Sequence, residues 1–179
     1  MSVIDELLEG SIDTHVHMDP DPSGERRHNA IELALSVKEA GMAGVVMKSK
    51  DYPSAPIVWA VSQFVKDVGL YGSIVLNSAV GGLNPEAVEV AARLGAKIVW
   101  MPTQTAKNDI RGSSAKGVGV YDENGRLVPE VYDILDIVRK FDIVVATGHL
   151  GHQASFAVID AAREKGIKKI IYTHAMLGL

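Results

Sequence analysis

The amino-acid sequence predicts a parallel α/β fold, a (β/α) barrel carried through about six of its eight strands. Three observations carry that expectation. Helix-period segments alternate with short Val/Ile-rich runs along the chain, a glycine closes most of the helical segments, and the runs are apolar on both faces. Strands of a parallel sheet are covered on both sides, so they show this pattern rather than strict apolar/polar alternation.

Each element follows in order. The first strand is Ser-Ile-Asp-Thr-His-Val-His, residues 11–17. Alternate side chains of a strand share a face, so Asp13, His15 and His17 point one way and Ile12, Thr14 and Val16 the other. Pro20 and Pro22 stop the strand and stiffen its exit. A helix over 29–40 then brings Ile31, Leu33, Ala34, Leu35 and Val37 to helical spacing, with Gly41 as a left-handed stop. Residues 44–47 form the second strand. The pattern repeats as helix 57–68, Gly69 and strand 73–76, then as helix 84–94, Gly95 and strand 97–101. In the latter helix Asn84 is the cap and Pro85 takes the first helical position. Helix 130–141 leads into strand 143–147, and helix 153–165 with Gly166 leads into strand 168–173.

An open nucleotide-binding sheet is the competing architecture. No Gly-x-Gly-x-x-Gly follows the first strand, and no Gly-x-x-x-x-Gly-Lys-Ser/Thr occurs. A barrel instead gathers its chemistry on the rim made by the C-terminal ends of its strands. Residues 102–128 carry little helix signal, and Asn124-Gly125 between apolar runs marks a hairpin turn. They are read as a loop and hairpin insertion on that rim, within a single domain spanning 1–179. Insertions of this length are commonly lids or binding loops, so Lys107, Arg111 and Lys116 are candidates for recognising an anionic substrate group. Arg26, Arg27 and His28 are further candidates for the mouth.

Composition narrows the function classes. The 179 residues are 47% hydrophobic and 22% charged, enough for a sizeable core. A net charge of -4, with short basic clusters lacking interleaved aromatics, argues against nucleic acid. The acidic start, Met-Ser-Val-Ile-Asp-Glu, is unlike a secretion signal, and no apolar run is long enough to span a bilayer, so no membrane partner and a cytoplasmic location are expected. Cysteine is absent, which leaves His, Asp, Glu and modified Lys as metal ligands. The Trp, Met and Tyr residues fit packing and call for no organic cofactor.

Four of the six histidines fall at strand exits: His15 and His17 on the first, His149 after the fifth, His174 after the sixth. One histidine at a strand end is unremarkable. Four on a common rim point to a divalent metal, with Zn first and Mn, Fe, Ni or Co as alternatives, because imidazole suits these ions.

Asp-Thr-His-Val-His, Thr-Gly-His149 and Tyr-Thr-His174 together resemble the amidohydrolase superfamily, metal-dependent hydrolases built on distorted (β/α) barrels, over essentially the whole chain in strand order. The resemblance implies that His15, His17 and His149 hold the metal and that His174 binds a second metal or acts on the substrate as a catalytic residue stabilising the oxyanion. The activity implied is hydrolysis of an amide, cyclic amide, lactone or related C–N or C–O bond of a small molecule, with decarboxylation known in some relatives. Two departures stand out. The fourth strand, Ala-Lys-Ile-Val-Trp-Met-Pro, offers no Lys or Glu at its exit, which favours a single metal over a pair bridged by a carboxylated lysine. Lys48, at the exit of the second strand, is the rim lysine in a comparable setting; it is read as binding a substrate carboxylate or, alternatively, as a carboxylated ligand. The chain also stops five residues after His174, before a seventh or eighth strand and the acid expected there. The expectation is therefore an incomplete barrel, truncated or closing with another chain, whose open edges favour a homo-oligomer. The alternatives are a metallophosphoesterase of the polymerase-and-histidinol-phosphatase type, which also opens with His-x-His, and a non-catalytic barrel fragment acting as a binding module.

Overall fold

The computed structural model describes residues 2–110 and 116–176. Six strands, β1 (Ile12–His17), β2 (Gly44–Lys48), β3 (Gly69–Val75), β4 (Ala96–Trp100), β5 (Val144–Ala146) and β6 (Ile170–Ile171), form one sheet in sequential order. Every neighbouring pair is parallel. The result is a parallel α/β half-barrel. Six α-helices are described: α1 (Val3–Leu8), α2 (Ala30–Glu39), α3 (Ala55–Ser62), α4 (Pro85–Arg93), α5 (Pro129–Lys140) and α6 (His152–Glu164).

Local chemistry sets the helix starts. Asn29 accepts from the amides of Ile31 and Glu32, and Glu32 returns a bond to the Asn29 amide, a reciprocal cap for α2. Asn84 accepts from Ala87 N, and Pro85 opens α4 where no amide partner is needed. α1 is absent from the sequence expectation. It is a six-residue helix with a Ser2/Asp5 capping box and no buried residue, so it leaves no apolar period to read.

The sheet divides two apolar layers. Outside it, Val45 and Met47 pack with Leu33, Ala34 and Val37 of α2 and with Val58 and Val61 of α3, while Ile74, Val99 and Val145 pack with α4, α5 and α6. Inside, Val46, Val75, Ile98, Trp100 and Ala146 form a smaller cluster, with Tyr71, Val144 and Ile171 against it. The two-residue period of each strand sorts residues between the layers, as with Val45 and Met47 outward and Val46 inward. Lys48, next in that alternation, ends β2 with 1% of its surface exposed.

The third strand starts earlier than expected, at Gly69, and α3 ends at Ser62 rather than near 68. Val65 and Val68 still pack with the α3 cluster, so burial continues in the helical spacing after the helix has ended. Gly72 lies in β3 because a Cβ there would stand 2.5 Å from Ala55 Cα; its absence lets α3 start flush on the sheet.

The described parts of the insertion, 102–110 and 116–128, are packed and bridged. Ala106 and Val120 are buried, Ala106 bridges to Val118, and an antiparallel bridge from Tyr121 to Leu127 closes the expected Asn124-Gly125 turn, with Gly125 at φ +74°. Among the described residues no helix is long and apolar enough to cross a membrane.

Candidate functional site

The first strand carries a register shift against β2: Asp13 faces Val45, but Val16 faces Met47. The extra residue of this bulge interrupts the strict alternation expected from 13 to 17. Asp13 is exposed and its carboxylate accepts from the amide of His15 at 2.9 Å, so it is not part of the inner face with the histidines. Val16 packs outward, and His15 and His17 line the inner cavity.

That cavity, about 450 Å³, is lined by His15, His17, His149 and His174 together with Arg26, Lys48, Lys50, Thr103 and Gln104. The four histidines that the sequence put at strand exits therefore meet. Their rings stand in a row, with centroid separations of 5.5 Å for His17–His15, 5.3 Å for His15–His174 and 5.1 Å for His174–His149. Lys48, a candidate substrate-binding and catalytic residue, is in the same wall. Its Nζ lies 3.0 Å from His15 Nε2 and 4.1 Å from the centre of the Trp100 ring. Arg111, the other candidate for binding substrate, lies outside the described residues.

Backbone chemistry holds the far wall. After β5 the chain turns at Gly148, φ +60°, where a Cβ would stand 2.2 Å from Met101 O. A glycine is required there, and it lets His149 N donate to Pro102 O at 2.9 Å. Thr147 and Thr173 exchange bonds between the exits of β5 and β6: Thr173 N donates to Thr147 Oγ1, and Gly148 N donates to Thr173 Oγ1. His174 follows in the left-handed region, φ +54°, which is uncommon for a residue with a side chain.

The electrostatics favour neutral imidazoles. Burial, then the charge of Lys48, then the other histidines, push His15 down to about 3. Burial and Lys48, followed by Arg26 and Lys50, take His17 down to about 4 against the opposing pull of Asp21. His174 is lowered by burial and by His149. Lys48 is itself pushed down to about 7 by burial and by Lys50. Among the described residues neither Lys48 nor Lys50 makes an ion pair, whereas Arg26 is tied to Asp21. No carboxylate lines the cavity.

The donor set bears on a metal in two ways. Neutral imidazoles are the form that ligates, and two of them on one tetrahedral ion, with N–metal bonds of about 2.1 Å, stand with ring centres roughly 5 Å apart. The row of rings has that spacing. His17 Nδ1 is also buried with no hydrogen-bond partner, a polar atom whose desolvation is uncompensated. Among the described residues, however, no three His or carboxylate groups converge on one point as they stand. Ring contacts run from each histidine of the row to the next, and Lys48 Nζ faces His15 Nε2.

Several residues at the site were missed in the sequence. Trp100, buried behind the lining residues, packs against His15 with ring centres 4.6 Å apart. Gln104 lines the cavity and donates from Nε2 to Asp51 Oδ1 at 3.0 Å, while Asp51 Oδ2 is buried without a partner. Asp109 accepts from His149 Nδ1 at 2.6 Å. The Lys-Ser-Lys-Asp run after the second strand was a readable signal for Asp51; nothing local marks Asp109. A larger cavity of about 600 Å³ runs between Lys107, Asn108, residues 118–121 and the start of α6, and none of the four histidines lines it.

Residues 10–179 match the model of a family of unknown function, DUF6282. The chain belongs to that family. No curated protein matches it. Solved structures similar to this DUF6282 chain include the deoxyribose phosphate aldolase of Aeropyrum pernix, at 14% identity and a TM-score of 0.47, over 93% of this chain and 64% of that one. Another is a 2,3-dimethylmalate lyase of the PEP mutase/isocitrate lyase superfamily, at 13% identity and a TM-score of 0.47, over 93% of this chain and 61% of that one. The chain thus spans less than two thirds of the length of either.

Proposed function

We propose that this chain carries the active site of a metal-dependent hydrolase acting on a small molecule with an anionic group. The observation that carries the proposal is the row of four imidazoles at ligand-like spacing around one cavity. His15, His17 and His149 would hold a divalent metal, zinc first among the candidates, with His174 toward the substrate. Such an ion supplies Lewis acidity and activates water near neutral pH.

The remaining chemistry belongs to the chain. Lys48 sits in the wall with no carboxylate partner, so the anionic group of a substrate gives its buried charge the compensation it lacks. Lys50 and Arg26 extend the same field to the cavity mouth and exclude cationic substrates. His174, held neutral, retains one ring N–H to donate where negative charge develops on a carbonyl oxygen. Trp100, buried, packs against both His15 and Lys48 and backs them in the wall. Hydrolysis of an amide, cyclic amide or lactone bearing a carboxylate fits this distribution of groups.

The test is elemental analysis of protein purified without added metal, joined to zinc titration. Roughly one equivalent per chain is expected, lost in the His15→Ala and His17→Ala variants. Metal-free protein that takes up no zinc, or variants that bind as the parent does, would overturn the reading. Screening carboxylated lactones and amides against uncharged ones and phosphomonoesters then assigns the substrate class.

A further inference from the structure

The segment after β4 delivers one group to the histidine row that the hydrolase reading does not use. Asp109 Oδ2 is 2.6 Å from His149 Nδ1, with side-chain exposures of 27% and 23%. A carboxylate can only accept, so the hydrogen of this contact is on Nδ1, and a ring carrying one proton then has its lone pair on Nε2. We infer that Asp109 is a positioning residue which fixes the Nδ1–H tautomer and the orientation of His149, making Nε2 its ligand atom.

The contact is built, not incidental. Asn77, fully buried, holds the segment at its base: its Oδ1 accepts from Thr103 N at 2.8 Å and Thr105 N at 3.3 Å, and its Nδ2 donates to Thr103 Oγ1. Ala106, also buried, accepts from the amides of Asp109 and Ile110, winding one turn that presents Asp109. Lys107 N donates to Val118 O and pins the turn from the other side. The histidine is held from its own backbone as well, since His149 N donates to Pro102 O and His149 O accepts from Asn108 Nδ2 at 3.3 Å. The two partners are 40 residues apart in sequence, and their segments are tied to each other through Pro102 and Asn108. A carboxylate on the non-ligating nitrogen of a metal-binding histidine raises its basicity and sets its direction.

The inference rests on the metal reading for its consequence, and on geometry alone for the tautomer, so the two are tested apart. Two-bond ¹H–¹⁵N spectra of metal-free protein should show His149 with Nδ1 protonated and Nε2 bare. Asp109→Ala should remove that bias. Asp109→Asn, which keeps an acceptor oxygen in the same place, should restore it and also guards against a variant that fails to fold. Zinc affinity, read by competition with a chromophoric chelator, should fall roughly 10- to 100-fold in Asp109→Ala and recover in part in Asp109→Asn. A parent protein with His149 protonated on Nε2, or on both nitrogens, overturns the inference, and so does an Asp109→Ala variant with an unchanged tautomer. A parent that binds no zinc while showing the Nδ1–H tautomer sinks the hydrolase reading and the ligand role of Nε2 with it, and bears out the positioning of His149 by Asp109.

Discussion

Lys48→Met should stabilise the metal-free protein, and the gain should shrink as pH rises. Lys48 is 1% exposed, has no ion-pair partner among the described residues, and is pushed down from 10.5 to about 7 by burial and by Lys50. Such a fall means the charged amine is worse off in the fold than in water by about 4 to 5 kcal/mol, at about 1.4 kcal/mol for each tenfold change in proton affinity. Below pH 7 the amine is protonated in both states and the fold bears the whole cost. Between about 7 and 10.5 the unfolded chain still holds the proton that the fold has released, so parent stability rises with pH. Methionine keeps the unbranched stem and removes the charge. The cation–π contact over Trp100, worth about 1 kcal/mol, is lost with it. The variant should therefore exceed the parent by about 3 to 4 kcal/mol near pH 6, and by about 3 kcal/mol less near pH 9. Urea unfolding in the presence of a chelator, followed by circular dichroism across that range, measures both. A variant less stable than the parent at pH 6, or a difference that does not move with pH, would refute the argument.

Two further perturbations follow from the same site. His15 and His17 have folded values of about 3 and about 4, below their ordinary 6.5, so the unfolded chain binds protons first and stability is lost as pH falls through that window. The His15→Asn/His17→Asn double variant should show a shallower loss of urea midpoint between neutral pH and about pH 5, and one as acid-sensitive as the parent would count against buried neutral rings. Gly148→Ala should cost about 2–4 kcal/mol, combining left-handed backbone strain with a Cβ 2.2 Å from Met101 O, and should displace His149. Gly166→Ala is the control: at φ +80° with nothing within 4 Å of a Cβ, it should cost about 1 kcal/mol, and equal losses at the two glycines would show that steric overlap at 148 does not matter.

The strand order was legible because the strands from β2 to β5 are largely buried and each crossover contains a helix with its own punctuation. Asn84 and Pro85 mark the start of α4 by chemistry that acts within four residues, and they mark it correctly. The errors fall where tertiary packing decides. Val65 keeps helical spacing and a buried side chain, yet it sits beyond the last turn of α3, because the sheet accepts a buried valine from a turn as readily as from a helix. The bulge in β1 was likewise invisible: it depends on how β1 registers against β2, and it turns Asp13 away from the histidines with which simple alternation grouped it.

For the site, position on the chain was enough to find the histidines, since a parallel sheet brings all strand exits to one rim. Position also found Lys48, and parity agrees with it, since Lys48 follows Val46 by one strand period and so faces inward. Its burial could not be read, because that depends on Trp100 from β4 lying against it. Asp109 and Gln104 come from a segment without periodicity, where contacts are set by the fixed ends at Asn77 and Val118 and not by local propensity. The inner face thus changes character along its length, from Val144 and Ile171 to a rim of imidazoles and amines. A sheet selected for packing alone would carry the apolar layer to its end. Burying Lys48 and an unpartnered His17 Nδ1 costs stability that apolar side chains would not, and such costs concentrate where a ligand supplies the missing partner.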